Sequence, residues 1–286
     1  MSWYGNLKNE IIGIPISKKT PEWDCSAPTP EEQLEKLDSL GLVSGFRDYK
    51  KDKEFAKLVE NKRVAIVGPS PHLNGLGNGK LIDSYDVVIR LNQKFDIPES
   101  RWEDYGSKTD VMFGSFNEFN QTECESNIEY IKSLKYMICP MLSMWGINEQ
   151  NEWFENMGVP YHNVCDGYLF KIFKEVGTTC NTGFTGLVVL MNYDIKEVYV
   201  TGMTFFDMGR WGNVYYDEYY DSVKEATGDI YGAWNENRVI DGRAARNDLH
   251  AQLPQIKYFY KMLKKYHPSK IKVDDYLTNA FKLKGK

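Results

Sequence analysis

Residues 63–92, RVAIVGPSPHLNGLGNGKLIDSYDVVIRLN, decide the fold. They open with VAIV at 64–67, a short, apolar, mostly β-branched run that Gly68 and Pro69 stop at once, which predicts a buried strand. A glycine-rich loop follows, and a second apolar run at 87–91 ends on Asn92. In the loop, Gly68, Gly75, Gly77 and Gly79 are expected to let the backbone approach a ligand, while Ser70 and free backbone N–H groups donate hydrogen bonds to it. Two adjacent strand ends carrying polar groups form the crevice where open α/β sheets bind ligands. The expectation is a nucleotide there.

Outward from this unit, DVMFG at 110–114, YMICP at 136–140, EVYVTG at 197–202 and residues 270–273 read as further strands. Residues 123–134 read as a crossover helix and 184–192 as an apolar one. A helix over 251–266 places Ile256, Phe259, Tyr260 and Leu263 at helical spacing. Upstream, Thr29-Pro30 starts a helix with Leu34, Leu37 and Leu40 on one face before Gly41, and a second helix covers 50–60. Residues 141–176 interleave aromatics with Gly and Asn and read as a partly ordered surface, with His162 a structural or surface residue. At 286 residues the chain suits one α/β domain, a Rossmann-like parallel sheet flanked by helices over 61–286, with 1–60 a helical lead-in packed on it.

Composition narrows the class of function. A formal net charge of −5 and a pI near 5.6 lack the basic balance of a general nucleic-acid binder. Five cysteines, an odd number without CxxC pairs, fit reduced thiols in a cytosol-like compartment. No window approaches 18 consecutive apolar residues, and residues 1–20 hold no signal-like apolar run, so a soluble, cytoplasmic protein is expected.

Three later stretches carry candidate chemistry. Asn181-Thr182-Gly183 precedes the apolar helix, whose start serves either as an anion site or as an ordinary capped crossover. The stretch from 209 to 247 is polar and Tyr-rich, with a length typical of a binding loop, and its Tyr215, Tyr216, Tyr219 and Tyr220 either donate to a phosphate or pack on the sheet edge. His250, at the start of the last long helix, suits either a cap or a general base kept neutral by the helix dipole. There is no GxxxxGK[ST], no GxGxxG with a downstream ribose acid, no HExxH, no Cys/His cluster and no Asp-x-Asp at a strand end. These absences favour a phosphate-bearing ligand stabilised without a metal.

Taken in order, these pieces resemble the sialyltransferases. Residues 63–92, continued through DYGSKT at 104–109, resemble the large sialyl motif of glycosyltransferase family 29, with LIDSYDVVIRLN the closest run. Asn181-Thr182-Gly183 with EVYVTGMTFF is similar to the small motif, Val214-Tyr215-Tyr216-Asp217 to the short aromatic motif, and His250 with Gln255 to the last motif. The same order resembles the bacterial family 42 sialyltransferases.

The resemblance implies a single-domain GT-A variant that uses a CMP-activated sugar without a metal or other cofactor. It implies that Gly68, Ser70, His72 and Asn92 line the CMP site, that Asn181, Thr182 and Gly183 meet its ribose or phosphate, that Gly202 lies near the base, and that Thr204 also belongs to the CMP site. Tyr215 and Tyr216 would bond the leaving phosphate, and His250 would deprotonate the acceptor hydroxyl for inverting displacement. The implied partners are a CMP-sialic acid donor and a glycan acceptor, with a CMP-Kdo transferase or a non-catalytic nucleotide-binding relative as alternatives. Pro69, His72, Asn181 and Gln255 depart from the family 29 pattern, and the third motif lacks its histidine. With no anchor or disulfide pattern, the chain resembles a microbial or viral cytosolic relative.

Overall fold

The structure is a computed structural model that describes residues 48–116, 118–141, 147–178, 180–205 and 252–283. The expected helix over 29–41, the whole 209–247 loop and His250 lie outside the described residues.

Five strands follow in order: β1 (Arg63–Val67), β2 (Val87–Leu91), β3 (Val111–Phe113), β4 (Tyr136–Cys139) and β5 (Tyr161–Asn163). β6 (Glu197–Thr201) and β7 (Ile271–Val273) come later in the chain. Together they form one sheet in the order β5-β4-β3-β2-β1-β6-β7, and every neighbouring pair is parallel. Both faces are covered, which is why the central strands are largely apolar instead of alternating. On one face Val64, Ile66, Ile89, Phe113 and Val200 join one core cluster. On the other, Ala65, Val67, Val88 and Tyr199 join a second, and Met112 and Met137 a third.

Helices pack on these faces. α1 (Lys53–Val59) is capped by Asp52, whose side chain accepts from the Phe55 N–H, and it buries Phe55 and Val59. α2 (Gly79–Asp83) and α3 (Trp102–Tyr105) flank β2, and α4 (Glu118–Ser126) and α5 (Ile128–Ser133) connect β3 to β4. α6 (Ile147–Met157) leads to β5, and α7 (Asp166–Val176) ends at Gly177 with a left-handed φ of 88°. α8 (Thr182–Leu190) carries Phe184, Leu187 and Leu190, each fully buried, and each such side chain contributes about 1.5–3 kcal/mol. α9 (Gln252–Tyr266) and α10 (Asp275–Ala280) complete the described elements.

Three local expectations change. The single crossover helix of 123–134 is two helices divided at Asn127, whose φ of −123° and ψ of 38° leave the helical region. Residues 147–176, read as a partly ordered surface, form α6, β5 and α7. Beyond the strand expected at 270–273, where no further element was expected, lies α10, started by Asp274, whose side chain accepts from the Leu277 N–H.

The strand order sets the functional geometry. From β1 the chain builds outward through β2 to β5, then returns to lay β6 and β7 on the other side of β1. The reversal lies between β1 and β6, and the crevice beyond the carboxyl ends of those strands is the expected ligand position of such a sheet.

Candidate functional site

Two glycines meet at the reversal. Gly68 follows β1 and Gly202 follows β6, and the Gly68 N–H donates to the Thr201 carbonyl over 2.9 Å. A Cβ on Gly68 would lie 2.2 Å from the Gly202 carbonyl oxygen, and one on Gly202 would lie 2.2 Å from that of Gly68. Gly202 also holds a left-handed φ of 71°. Only glycine lets these two backbones close on each other. The Ser70 N–H then donates to the Gly202 carbonyl over 3.2 Å, so the turn after β1 is strapped to the end of β6.

A crevice of about 460 Å³, including its open mouth, lies above this contact. Its polar lining is Ser70, Asn92, Asn181, Gly183, Gly202 and Thr204, and Pro69, Leu91, Met203 and Phe205 supply apolar walls. Asn92 holds a φ of 54°, a conformation Asn tolerates better than most residues, and its N–H donates to the Phe113 carbonyl over 2.7 Å. Asn181 caps α8, its Oδ1 accepting the Phe184 N–H over 2.8 Å. The start of α8 therefore faces the crevice with the positive end of its dipole, where an anion is stabilised. Cys180, just before this cap, is fully buried, and burial pushes its thiol well above the ordinary range, so it offers no thiolate nucleophile.

Six of the expected donor-site residues thus come together from four separate chain segments. Gly68 shapes the floor instead of the lining, and Thr182 is buried in the first turn of α8. His72 is also buried, and its ring turns to Asp274: Nε2 donates to Asp274 Oδ2 over 2.8 Å while Nδ1 lies 3.1 Å from Ser70 Oγ. It reaches the crevice through Ser70. Tyr215, Tyr216 and His250 lie outside the described residues.

The glycine loop departs from expectation more sharply. Gly75 and Gly77 hold left-handed φ values of 76° and 63°, and their N–H groups both donate to the Asp104 carboxylate over 2.8 Å. The loop is a cradle for a carboxylate of the same chain, not for a ligand. Gly79 packs against the backbone of α3, where a Cβ would lie 1.8 Å from the Trp102 carbonyl oxygen. DYGSKT closes on LIDS in the same manner, the Asp83 carboxylate accepting the N–H groups of Ser107 and Lys108 over 2.9 and 3.0 Å. Buried Arg90 donates to the carbonyls of Tyr105, Gly106 and Lys108. Most of the motif is scaffold.

Asp274 escaped the sequence reading altogether. An Asp before an apolar turn hints at a helix start, but nothing local signals its contact with a histidine 202 positions away. Gln255 is more legible. Its Oε1 accepts the Asn181 N–H over 3.1 Å, which joins the last of the resembling motifs to the second.

Residues 30–149 match the sequence model of glycosyltransferase family 29 (sialyltransferase). Among solved structures, the chain is similar to the monofunctional α-2,3-sialyltransferase Cst-I of Campylobacter jejuni, with 18% identity, 83% of each chain covered and a TM-score of 0.49. It is also similar to the sialyltransferase CstII of Campylobacter jejuni in complex with cytidine-5′-monophosphate, at 16% identity over 78% of this chain and 84% of that one, with a TM-score of 0.48. A mammalian sialyltransferase in complex with Gal-β-1-3GalNAc-ortho-nitrophenol gives 17% identity, coverage of 71% and 81%, and a TM-score of 0.38. No curated protein matches the chain in sequence. Over residues 30–149, then, the chain is similar in sequence to glycosyltransferase family 29.

Proposed function

We propose that this chain moves a sialic acid from a CMP-activated donor to a hydroxyl of a glycan acceptor, without a metal ion and with inversion at the anomeric carbon. The observation that carries this reading is the convergence of Ser70, Asn92, Asn181, Gly183, Gly202 and Thr204 on one crevice at the reversal of the sheet. All six are uncharged. The family 29 match over residues 30–149 and the motif order point to a CMP donor. A phosphomonoester leaving group carries less charge than a diphosphate, so neutral donors and a helix start stabilise it without a cation.

In this reading Ser70 and the start of α8 face the phosphate, Asn92 and Thr204 fix the ribose, and Gly202 lies beside the base. Tyr215 and Tyr216 hydrogen-bond the departing phosphate, and His250 takes the proton of the acceptor hydroxyl. The helix that follows His250 in sequence is held to the crevice by Gln255 on Asn181, which supports a role for His250 there. Residues 61–286 form the catalytic domain and 1–60 its lead-in.

Incubation with CMP-Neu5Ac or CMP-Kdo and a galactoside acceptor, with released CMP and product followed by chromatography, tests the reading. Transfer from CMP-Neu5Ac that His250→Ala abolishes, with CMP affinity nearly intact, is expected. Transfer from CMP-Kdo alone reassigns the sugar, and CMP binding without turnover of either donor contradicts the enzyme.

A further inference from the structure

Asp274 is a buried carboxylate with four donors. Oδ2 accepts from His72 Nε2 over 2.8 Å, from the Thr201 hydroxyl over 2.7 Å and from the Gly202 N–H over 3.4 Å, and Oδ1 accepts the Leu277 N–H over 2.9 Å. A carboxylate only accepts, so the proton of the pair sits on His72 Nε2. The other ring nitrogen, Nδ1, lies 3.1 Å from Ser70 Oγ, and Ser70 lines the crevice.

This chain of bonds has two states. When the imidazole is neutral, Nδ1 is an acceptor, the Ser70 hydroxyl donates to it, and the crevice meets only lone pairs of Ser70 Oγ. When the imidazole is protonated, Nδ1–H donates to Ser70 Oγ and the hydroxyl hydrogen is released toward the crevice. A phosphate oxygen needs a donor, so it favours the second state. Among the described residues, the charged and titratable groups around His72 and its partner include Asp274 and the Tyr276 ring, 5.1 Å from the imidazole, from the segment after β7, and Tyr199 of β6, which interacts with the Asp274 carboxylate. From β6, Thr201 contributes an uncharged donor to the same carboxylate, and Gly202 beyond it contributes another.

We propose that the Ser70–His72–Asp274 chain couples phosphate binding in the crevice to uptake of one proton from solvent at His72 Nδ1, which turns Ser70 from an acceptor into a donor. His72 and Asp274 are positioning residues and Ser70 is the group that meets the ligand. This rests on the reading of the crevice as a phosphate site. The bookkeeping is simple: one proton enters with the ligand and leaves with it. Affinity therefore falls as pH rises through the range where the free imidazole is neutral and the bound one is protonated.

The test is calorimetric titration with the methyl ester of CMP, whose single phosphate charge does not titrate near neutrality, in buffers of different ionisation enthalpy from pH 6 to 8.5. Wild-type protein is expected to take up between about half a proton and one proton, with affinity falling up to about tenfold per pH unit where uptake is greatest. Ser70→Ala, which leaves the His72–Asp274 pair in place, is expected to bind more weakly at low pH, with uptake lost and the pH profile flat. His72→Gln, which keeps an amide donor for Asp274, is expected to do the same. Binding by wild-type protein without proton uptake, or uptake that persists in both variants, overturns the coupling alone. Absence of any binding by wild-type protein overturns the phosphate-site reading and the coupling with it.

Discussion

Gln255 Oε1 accepts the backbone N–H of Asn181 over 3.1 Å, so a fully buried side chain of α9 anchors the residue that caps α8. An amide oxygen accepts this bond as a carboxylate oxygen would. Gln255→Leu removes the acceptor of the part-buried Asn181 N–H and is expected to destabilise by about 1 kcal/mol. Gln255→Glu keeps the acceptor and is expected to cost less. Denaturant unfolding of both variants measures the difference, and equal stability of the Leu variant and the parent would remove the anchor from the account.

Gly202→Ala forces a Cβ to within 2.2 Å of the Gly68 carbonyl oxygen, in a backbone with φ of 71°. The left-handed conformation alone costs about 1–2 kcal/mol for a residue with a Cβ, and the clash adds to it. Lower thermal stability and at least a tenfold loss of CMP affinity are expected together, because the turn carrying Ser70 is tied to the Gly202 carbonyl. Unchanged CMP binding in a folded Gly202→Ala protein would separate the crevice from the glycine contact.

Asp104→Ala distinguishes a scaffold loop from a phosphate cradle. The carboxylate holds the N–H groups of Gly75 and Gly77. Its removal is expected to lower stability by about 1 kcal/mol and to leave CMP affinity within about threefold of the parent. A large gain in affinity for inorganic phosphate or CMP would instead show that the freed N–H groups bind a ligand phosphate.

His162 predicts an acid limb. Burial pushes its imidazole below the ordinary histidine range, and the nearby Asp52 charge opposes this only in part. A lowered folded-state pKa means that the unfolded chain binds more protons, so the contribution is fully present above about pH 6.5 and is lost as pH falls through the lowered value. His162→Gln is expected to flatten the stability profile below pH 6.5, measured by denaturant midpoints across pH. An unchanged slope would move the acid sensitivity elsewhere.

The strands of the sheet centre were legible because VAIV, VVIRL and EVYVT are buried on both faces and therefore write short, largely apolar, β-branched runs, interrupted in β2 by Arg90. β5 was not, since its three residues, Tyr161–Asn163, are each half-buried on the sheet edge and carry no run or alternation to detect. The crevice residues were legible for a related reason: Ser70, Asn92, Asn181 and Gly202 all stand next to a strand or helix end, a position that local sequence marks. What filled the glycine loop was not, because Asp104 reaches Gly75 across 29 positions and its identity as an internal ligand depends on α3 packing. His72 lies within two residues of Ser70, yet its role came from Asp274, at the far end of the chain. Local patterns announce where a site opens, and long-range pairs decide which polar residues face it.

The crevice between β1 and β6 is proposed to hold CMP. Isothermal calorimetry of the full chain with CMP, CDP, UDP and GDP tests it most directly. Saturable binding of CMP that exceeds that of UDP and GDP and weakens in Ser70→Ala is expected. Binding of UDP or GDP in preference to CMP would contradict it.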